Sequence, residues 1–237
     1  MFSKIIITYP DLNRSYAESK SVNYSQSNII RGNTALLKSI FLANKTNIQK
    51  WGSIFEIDDS IIANFITAES GGKDLAPRGS AQITGLMQVS TDTVWEVLAK
   101  WKSMTGSDLP LEAKAYFEKV LPEIKNFNPN VLPNSTLKSK IANLLYKNRE
   151  FSIAIGTANI RWLLEAYSNG VTSPINKVMV GYNAGYYGTK AKMKGSPTTL
   201  TLVNNKSLPL ESRSYLLKML GKNGFIQLFF DNKMNLL

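Results

Sequence analysis

The chain has 237 residues, 43% of them hydrophobic, which is enough for one sizeable core and excludes wholesale disorder. Lys plus Arg number 28 against 17 Asp plus Glu, a net charge of +11, so anionic partners are favoured: a cell-wall polymer, a membrane surface or nucleic acid. Cys and His are both absent, which excludes disulfides, thiol nucleophiles, thiolate metal sites and the usual imidazole base, and leaves proton transfer to Asp, Glu, Tyr, Lys or Ser.

In chain order, residues 1–33 are rich in Ser, Asn and Tyr and read as an extended arm. Their one apolar run, Ile5–Ile7 before Pro10, is too short for a secretion signal, and no later run reaches transmembrane length. Thr34–Thr46 predicts a helix and Ile48–Phe55 a second, short one closed at Glu56-Ile57. Asp58 is placed to cap the next helix, which runs through IIANFITAES and stops at Gly71-Gly72. A Gly-rich polar loop follows, then a helix over Ser90–Lys102 with Trp95, Leu98 and Trp101 near one face.

Met104–Thr136 holds Pro110, Pro122, Pro129 and Pro133 and predicts short helices and turns. Leu137–Tyr146 and Phe151–Ser168 read as helices, the second closed by Asn169-Gly170. Pro174 opens another through Val180 and Tyr182, and Leu210–Leu220 is the last. The apolar FIQLFF after it reads as a strand or a docking segment. Period-2 strands are scarce, so the fold class is mostly α.

Ile57, Ile61, Ile62, Phe65 and Ile66 form one apolar helical stripe, and Glu69 extends it, four residues after Phe65. A carboxyl group on a core-facing stripe loses hydration, and its pKa rises toward the range of a general acid. On position alone a Glu at the edge of the stripe, snorkelling or salt-bridged, explains it as well. Further along come GLMQVS from Gly85, IGTANIRWLL around Gly156, GYNAGYYG from Gly181 and LPLESRSYL from Leu208. The glycines of GYNAGYYG have neither dinucleotide nor Walker spacing, so a phosphate loop is rejected.

Ala-Glu-Ser closing an apolar helix, then Gly-Leu-Met-Gln, then Tyr-Asn-Ala-Gly, in that order, resembles the lytic transglycosylases of the soluble, lysozyme-like type. The resemblance covers about residues 47–220. It implies a lysozyme-like (goose-type) helical domain with residues 1–46 as an N-terminal arm and helix, an insertion at about 103–150, and 221–237 as an apolar tail. It implies that Glu69 protonates the glycosidic oxygen between N-acetylmuramic acid and N-acetylglucosamine. Glu69 then acts as base while the muramic 6-hydroxyl closes a 1,6-anhydro ring. Ser70, Gln88, Tyr182, Asn183, Tyr186 and Glu211 are the implied substrate-binding residues, with no cofactor and no metal.

Ser70 has a helix-capping alternative and Gln88 a loop-bracing one. Tyr182 is expected to point its hydroxyl at Glu69 or the substrate. Tyr186 and Tyr187 extend an aromatic wall or pack, and Glu211 either contacts substrate or pairs with a basic residue. Asp74 and Asp92 are candidate second carboxylates outside any catalytic motif. Three features depart from the family pattern: Ser90-Thr91 stands where Met-Pro is common, one residue rather than two separates Pro209 from Glu211, and Ser212 replaces the usual Thr.

The implied partner is the peptidoglycan glycan strand. Other virion or cell-wall-machinery proteins are expected to meet the termini or the insertion. Nucleic acid is disfavoured because the basic residues are scattered. With no export signal in view, carriage by a bacteriophage virion and action on the cell wall or periplasm are expected. The alternatives are a goose-type lysozyme-like hydrolase and a catalytically inactive structural or wall-binding virion component.

Overall fold

The computed structural model describes residues 34–167, 175–195, 198–220 and 224–225. The predicted arm, the Asn169-Gly170 stop, the Pro174 start and nearly all of FIQLFF lie outside these residues. The protein is mostly helical, and the described residues form ten α-helices, one 3-10 turn and one two-stranded hairpin. Among them no helix is long and apolar enough to cross a membrane.

The first two predicted helices are one, α1 (Thr34–Phe55). No breaker interrupts it, and Asn44 bonds back to the Ile40 carbonyl at 2.9 Å instead of opening a turn. The corner after it is tight, with Glu56 at φ 54° and the Ile57 amide returning to the Gly52 carbonyl at 2.9 Å. Gly52 is required there, because a Cβ would stand 2.8 Å from the Ile57 carbonyl oxygen.

Helix α2 (Asp59–Ser70) starts at Asp58, whose carboxylate accepts from the Ser60 amide at 2.8 Å, and ends at Gly71 in the left-handed conformation. It is not amphipathic in the expected sense, since every residue from Ser60 to Ala68 is buried. The polar ones are satisfied within the helix: Asn64 bonds the Ser60 carbonyl at 2.6 Å and Thr67 the Ala63 carbonyl at 2.8 Å. Glu69 thus emerges from the centre of the core.

The expected loop contains an antiparallel hairpin, β1 (Leu75–Arg78) and β2 (Ile83–Gly85), in which Leu75 faces Gly85 and Arg78 faces Ile83. Ser90 does not begin the next helix but caps it, accepting from the Thr93 amide at 3.0 Å, and α3 runs Thr91–Thr105. Short helices and turns follow as expected: α4 (Leu111–Val120), a 3-10 turn (Pro122–Asn126) and α5 (Ser135–Lys147).

These elements are part of the core rather than an appendage. Phe117, Leu121, Ile141 and Leu145 are fully buried. The Phe117 ring stacks on Trp51 at 5.9 Å and meets Phe151 edge-on at 6.1 Å. Helix α6 (Arg149–Tyr167) is the central rod. Its wholly buried Arg161 pairs with Glu165 at 2.5 Å and Glu56 at 3.7 Å, which ties α6 to the α1–α2 corner. Helices α7 (Ile175–Ala184), α8 (Tyr186–Thr189), α9 (Thr199–Asn204) and α10 (Leu210–Leu220) complete the order. Helix α10 packs on α7 and α2 and closes the site from the other side.

Replacing Phe117 by Ala should cost about 3–5 kcal/mol of global stability, the range for a fully buried aromatic ring. Urea denaturation checks this. A loss under about 1 kcal/mol would mean that residues 103–150 are a separable appendage.

Candidate active site

The Gly-Leu-Met-Gln turn is held from three helices. Gly85, at φ +80°, lies so close to α5 that a Cβ would stand 2.2 Å from the Leu145 carbonyl oxygen. The Met87 amide donates to the Ser152 hydroxyl at 3.1 Å. The Met87 side chain fills the notch left by Gly156, where an added Cβ would meet its sulfur at 2.3 Å. The Tyr182 hydroxyl, from α7, donates to the Met87 carbonyl at 2.9 Å. These contacts account for the glycine of IGTANIRWLL and the tyrosine of Tyr-Asn-Ala-Gly in physical terms.

Glu69 opens into a cleft of about 440 Å³ whose walls include Arg78, Gln88, Asn183, Tyr215 and Lys218. Its Oε1 is buried without a hydrogen-bond partner. Burial raises the carboxyl from 4.5 to about 7. The Tyr215 hydroxyl and the Lys218 ammonium beside it pull in the opposite direction, and the Glu211 charge adds to the rise. Tyr215 is itself pushed well above the usual phenol range by burial and by the negative charge of Glu69. Lys218 donates to the Ala68 carbonyl in the last turn of α2, where a cation also suits the helix dipole. Burial lowers its pKa, and the Glu69 charge offsets part of that.

The implied substrate-binding residues separate into groups. Gln88, Tyr182, Asn183 and Glu211 share the cleft with Glu69. Gln88 also braces its loop, donating to the Gly85 carbonyl at 2.7 Å from a left-handed backbone at φ 47°. The Tyr182 phenol, expected to face Glu69 or the substrate, lines the Glu69 cleft and is pushed well above the usual phenol range by burial and by the Glu69 charge. It is committed to Met87, and the ring packs edge-on against Phe65 at 4.7 Å. Asn183 accepts from the Ser212 hydroxyl at 2.8 Å, joining α7 to α10. Ser70 is drawn into the helix end, donating to the Ile66 carbonyl at 3.1 Å and accepting from the Gly72 amide at 3.1 Å.

Tyr186 is buried and packs edge-on against Trp162 at 5.2 Å, while Tyr187 is 55% exposed. Among the described residues Glu211 makes no ion pair. Asp74 and Asp92 are taken up by Arg149 and Lys138, each at 2.7 Å. Neither lines the Glu69 cleft. Among the described residues, no group of three or more Asp or Glu converges as a metal site would require.

Sequence reasoning did not name Arg78, Tyr215 or Lys218 as site residues. Tyr215 and Lys218 lie at i+4 and i+7 from Glu211 on α10, so their helical spacing was the available signal. Comparison with known proteins gives no matching family model and no significant match to a curated protein or a solved structure.

Because the folded-state pKa of Glu69 is raised, the folded chain holds a proton that the unfolded chain has released between pH 4.5 and about 7. Glu69 therefore destabilises the fold as pH rises through that window, by on the order of 3 kcal/mol above it. Glu69→Gln should be more stable than wild type at pH 8, and the difference should vanish near pH 4. Denaturation midpoints at the two pH values check this.

Proposed function

We propose that this chain is a peptidoglycan lytic transglycosylase on a lysozyme-like helical domain, cleaving the MurNAc-β-1,4-GlcNAc bond. The observation that carries the reading is a single one. Glu69, raised to about 7 by burial, is the most desolvated carboxyl of a polar cleft walled by Gln88, Asn183 and Tyr215. A neutral acid there can protonate a glycosidic oxygen near neutral pH, which an ordinary surface carboxylate cannot. The order of the motifs along the chain supports the same assignment.

In this mechanism the Glu69 proton passes to the GlcNAc O4 as the C1–O4 bond breaks. The resulting carboxylate takes the proton of the muramic 6-hydroxyl as O6 bonds to C1. One carboxyl group thus serves both half-reactions and ends protonated, with no water consumed. Lys218 and Tyr215 favour the charged form needed in the second half, whereas burial favours the neutral form needed in the first. Arg78 and the net charge of +11 suit an anionic wall polymer. Carriage by a phage particle that breaches the wall locally is proposed from the sequence.

One observation favours a second reading. Glu211 shares the cleft with Glu69, so a two-carboxylate hydrolase of the goose-lysozyme kind has a candidate second group. Mass spectrometry of digested peptidoglycan separates the two: 1,6-anhydro muropeptides support the transglycosylase, and reducing ends support the hydrolase. Glu69→Gln should lose wall clearing in a zymogram by roughly 10²–10⁴-fold. A variant that clears as well as wild type would instead identify a binding or structural component. Wild-type activity should fall as pH rises through about 7, where Glu69 ionises.

A further inference from the structure

The positive charge of the chain is unevenly spread. Residues 166–220 carry seven Lys and Arg against one acid, Glu211, a net +6 of the total +11. Glu211 itself lines the Glu69 cleft. Lys190, Lys192, Lys194 and Lys206 are exposed and make no ion pair among the described residues. Lysines elsewhere are spent on neighbours: Lys102, Lys114, Lys125 and Lys140 each meet a carboxylate within 4.0 Å.

A braced backbone displays the four free lysines. The turn over 190–195 folds back on α8, with the Lys190 amide on the Tyr186 carbonyl at 2.9 Å and the Met193 amide on the Thr189 carbonyl at 3.0 Å. Met193 is buried and anchors the turn between Lys192 and Lys194. The Asn205 amide donates to the Lys192 carbonyl at 2.7 Å, which seats the adjoining Lys206 against the same turn. Lys190 lies over the Tyr186 ring at 5.1 Å, and Lys100 of α3 over the neighbouring Tyr187 ring at 4.8 Å. Like charges gathered on a pinned backbone repel one another, and a bound polyanion relieves that repulsion.

Three features choose the partner. The four cations are all lysines, compact point charges on flexible stems, which suit phosphates strung along a flexible chain better than a planar carboxylate. Between Gly188 and Ser207 no large apolar side chain is exposed among the described residues, so nothing there is set to enter a bilayer. The exposed Tyr187 ring already carries the Lys100 ammonium, so it is no open platform for a stacked base.

We infer that Lys190, Lys192, Lys194 and Lys206 form a docking surface for a linear polyphosphodiester without bases, the chemistry of a phosphate-bearing wall polymer. Placing that polymer in the wall rests on the glycan-cleaving reading, whereas the charge argument does not. Tyr186, under Lys190, also lines a cavity of about 280 Å³ that shares Gln88, Tyr182 and Asn183 with the Glu69 cleft. Docking therefore holds the cleft beside the wall without touching the bond to be cut.

The test uses the full chain and follows binding of labelled poly(glycerol phosphate) by fluorescence anisotropy at low and at physiological salt. Combining Lys190→Gln, Lys192→Gln, Lys194→Gln and Lys206→Gln should weaken binding at least about tenfold at low salt and flatten its salt dependence. A charge-matched variant combining Lys102→Gln, Lys114→Gln, Lys125→Gln and Lys140→Gln should lose less than about threefold. All eight positions are exposed, so neither variant threatens the core. Equal losses in the two variants, or no binding by wild type, would overturn the surface. So would tighter lysine-dependent binding of single-stranded DNA or of phosphatidylglycerol vesicles, which would assign the face to nucleic acid or to a membrane. Lysine-dependent binding of the polymer by a chain whose wild type cleaves no peptidoglycan would leave the surface standing and overturn only the activity.

Discussion

Everything at the candidate site follows from desolvating one carboxyl group. Helix α2 runs through the middle of the core, buried from Ser60 to Ala68, and Glu69 is the first residue at which that burial relents. Its Oε1 has neither water access nor a partner. The neutral form is therefore favoured until about pH 7, while Tyr215 and Lys218 hold the charged form within reach. A site with only the burial would be a permanent acid, and one with only the cation a permanent carboxylate. The geometry supplies both, from opposite elements of the chain.

The second constraint is the close approach of the Gly-Leu-Met-Gln turn to α5 and α6. Met87 occupies the space that a side chain on residue 156 would need, and Gly85 the space against the Leu145 carbonyl. Packed interiors do not yield at such distances, so the notch at Gly156 on α6 and the Met87 knob in the turn specify one another although 69 residues separate them in the chain. Gln88 of this turn and Tyr182, which bonds it, line both the Glu69 cleft and a neighbouring cavity of about 280 Å³.

Much of this was legible from local rules. The Asp58 cap, the Gly71 stop and the helices expected over 90–102, 151–168 and 210–220 came from capping and periodicity, which act within a turn or two; the structure runs the first over Thr91–Thr105, starts the second at Arg149 and keeps the third. The hairpin was missed because its strands are four and three residues long and mostly exposed, too short and too polar for alternation to register. The join of α1 was missed because Thr46 and Asn47 resemble a break, whereas the buried Ile48 and Trp51 carry the helix through. The hydroxyl of Tyr182 was expected at Glu69 or the substrate because it belongs to a recognisable motif. Its actual acceptor is a backbone carbonyl, which leaves no mark in a sequence.

By itself the sequence determined the helical class, the exclusion of thiol and imidazole chemistry, and the position of Glu69 at the end of an apolar helix. These depend on residue type and on spacing along one element. Only the tertiary structure decided that Asp74 and Asp92 are spent on Arg149 and Lys138, and that Tyr215 and Lys218 flank the acid. It alone bonded the Tyr182 hydroxyl of α7 to the Met87 carbonyl of the Gly-Leu-Met-Gln turn. Each of those outcomes is a contact between residues far apart in the chain, and such a contact exists only once the core has brought its helices together.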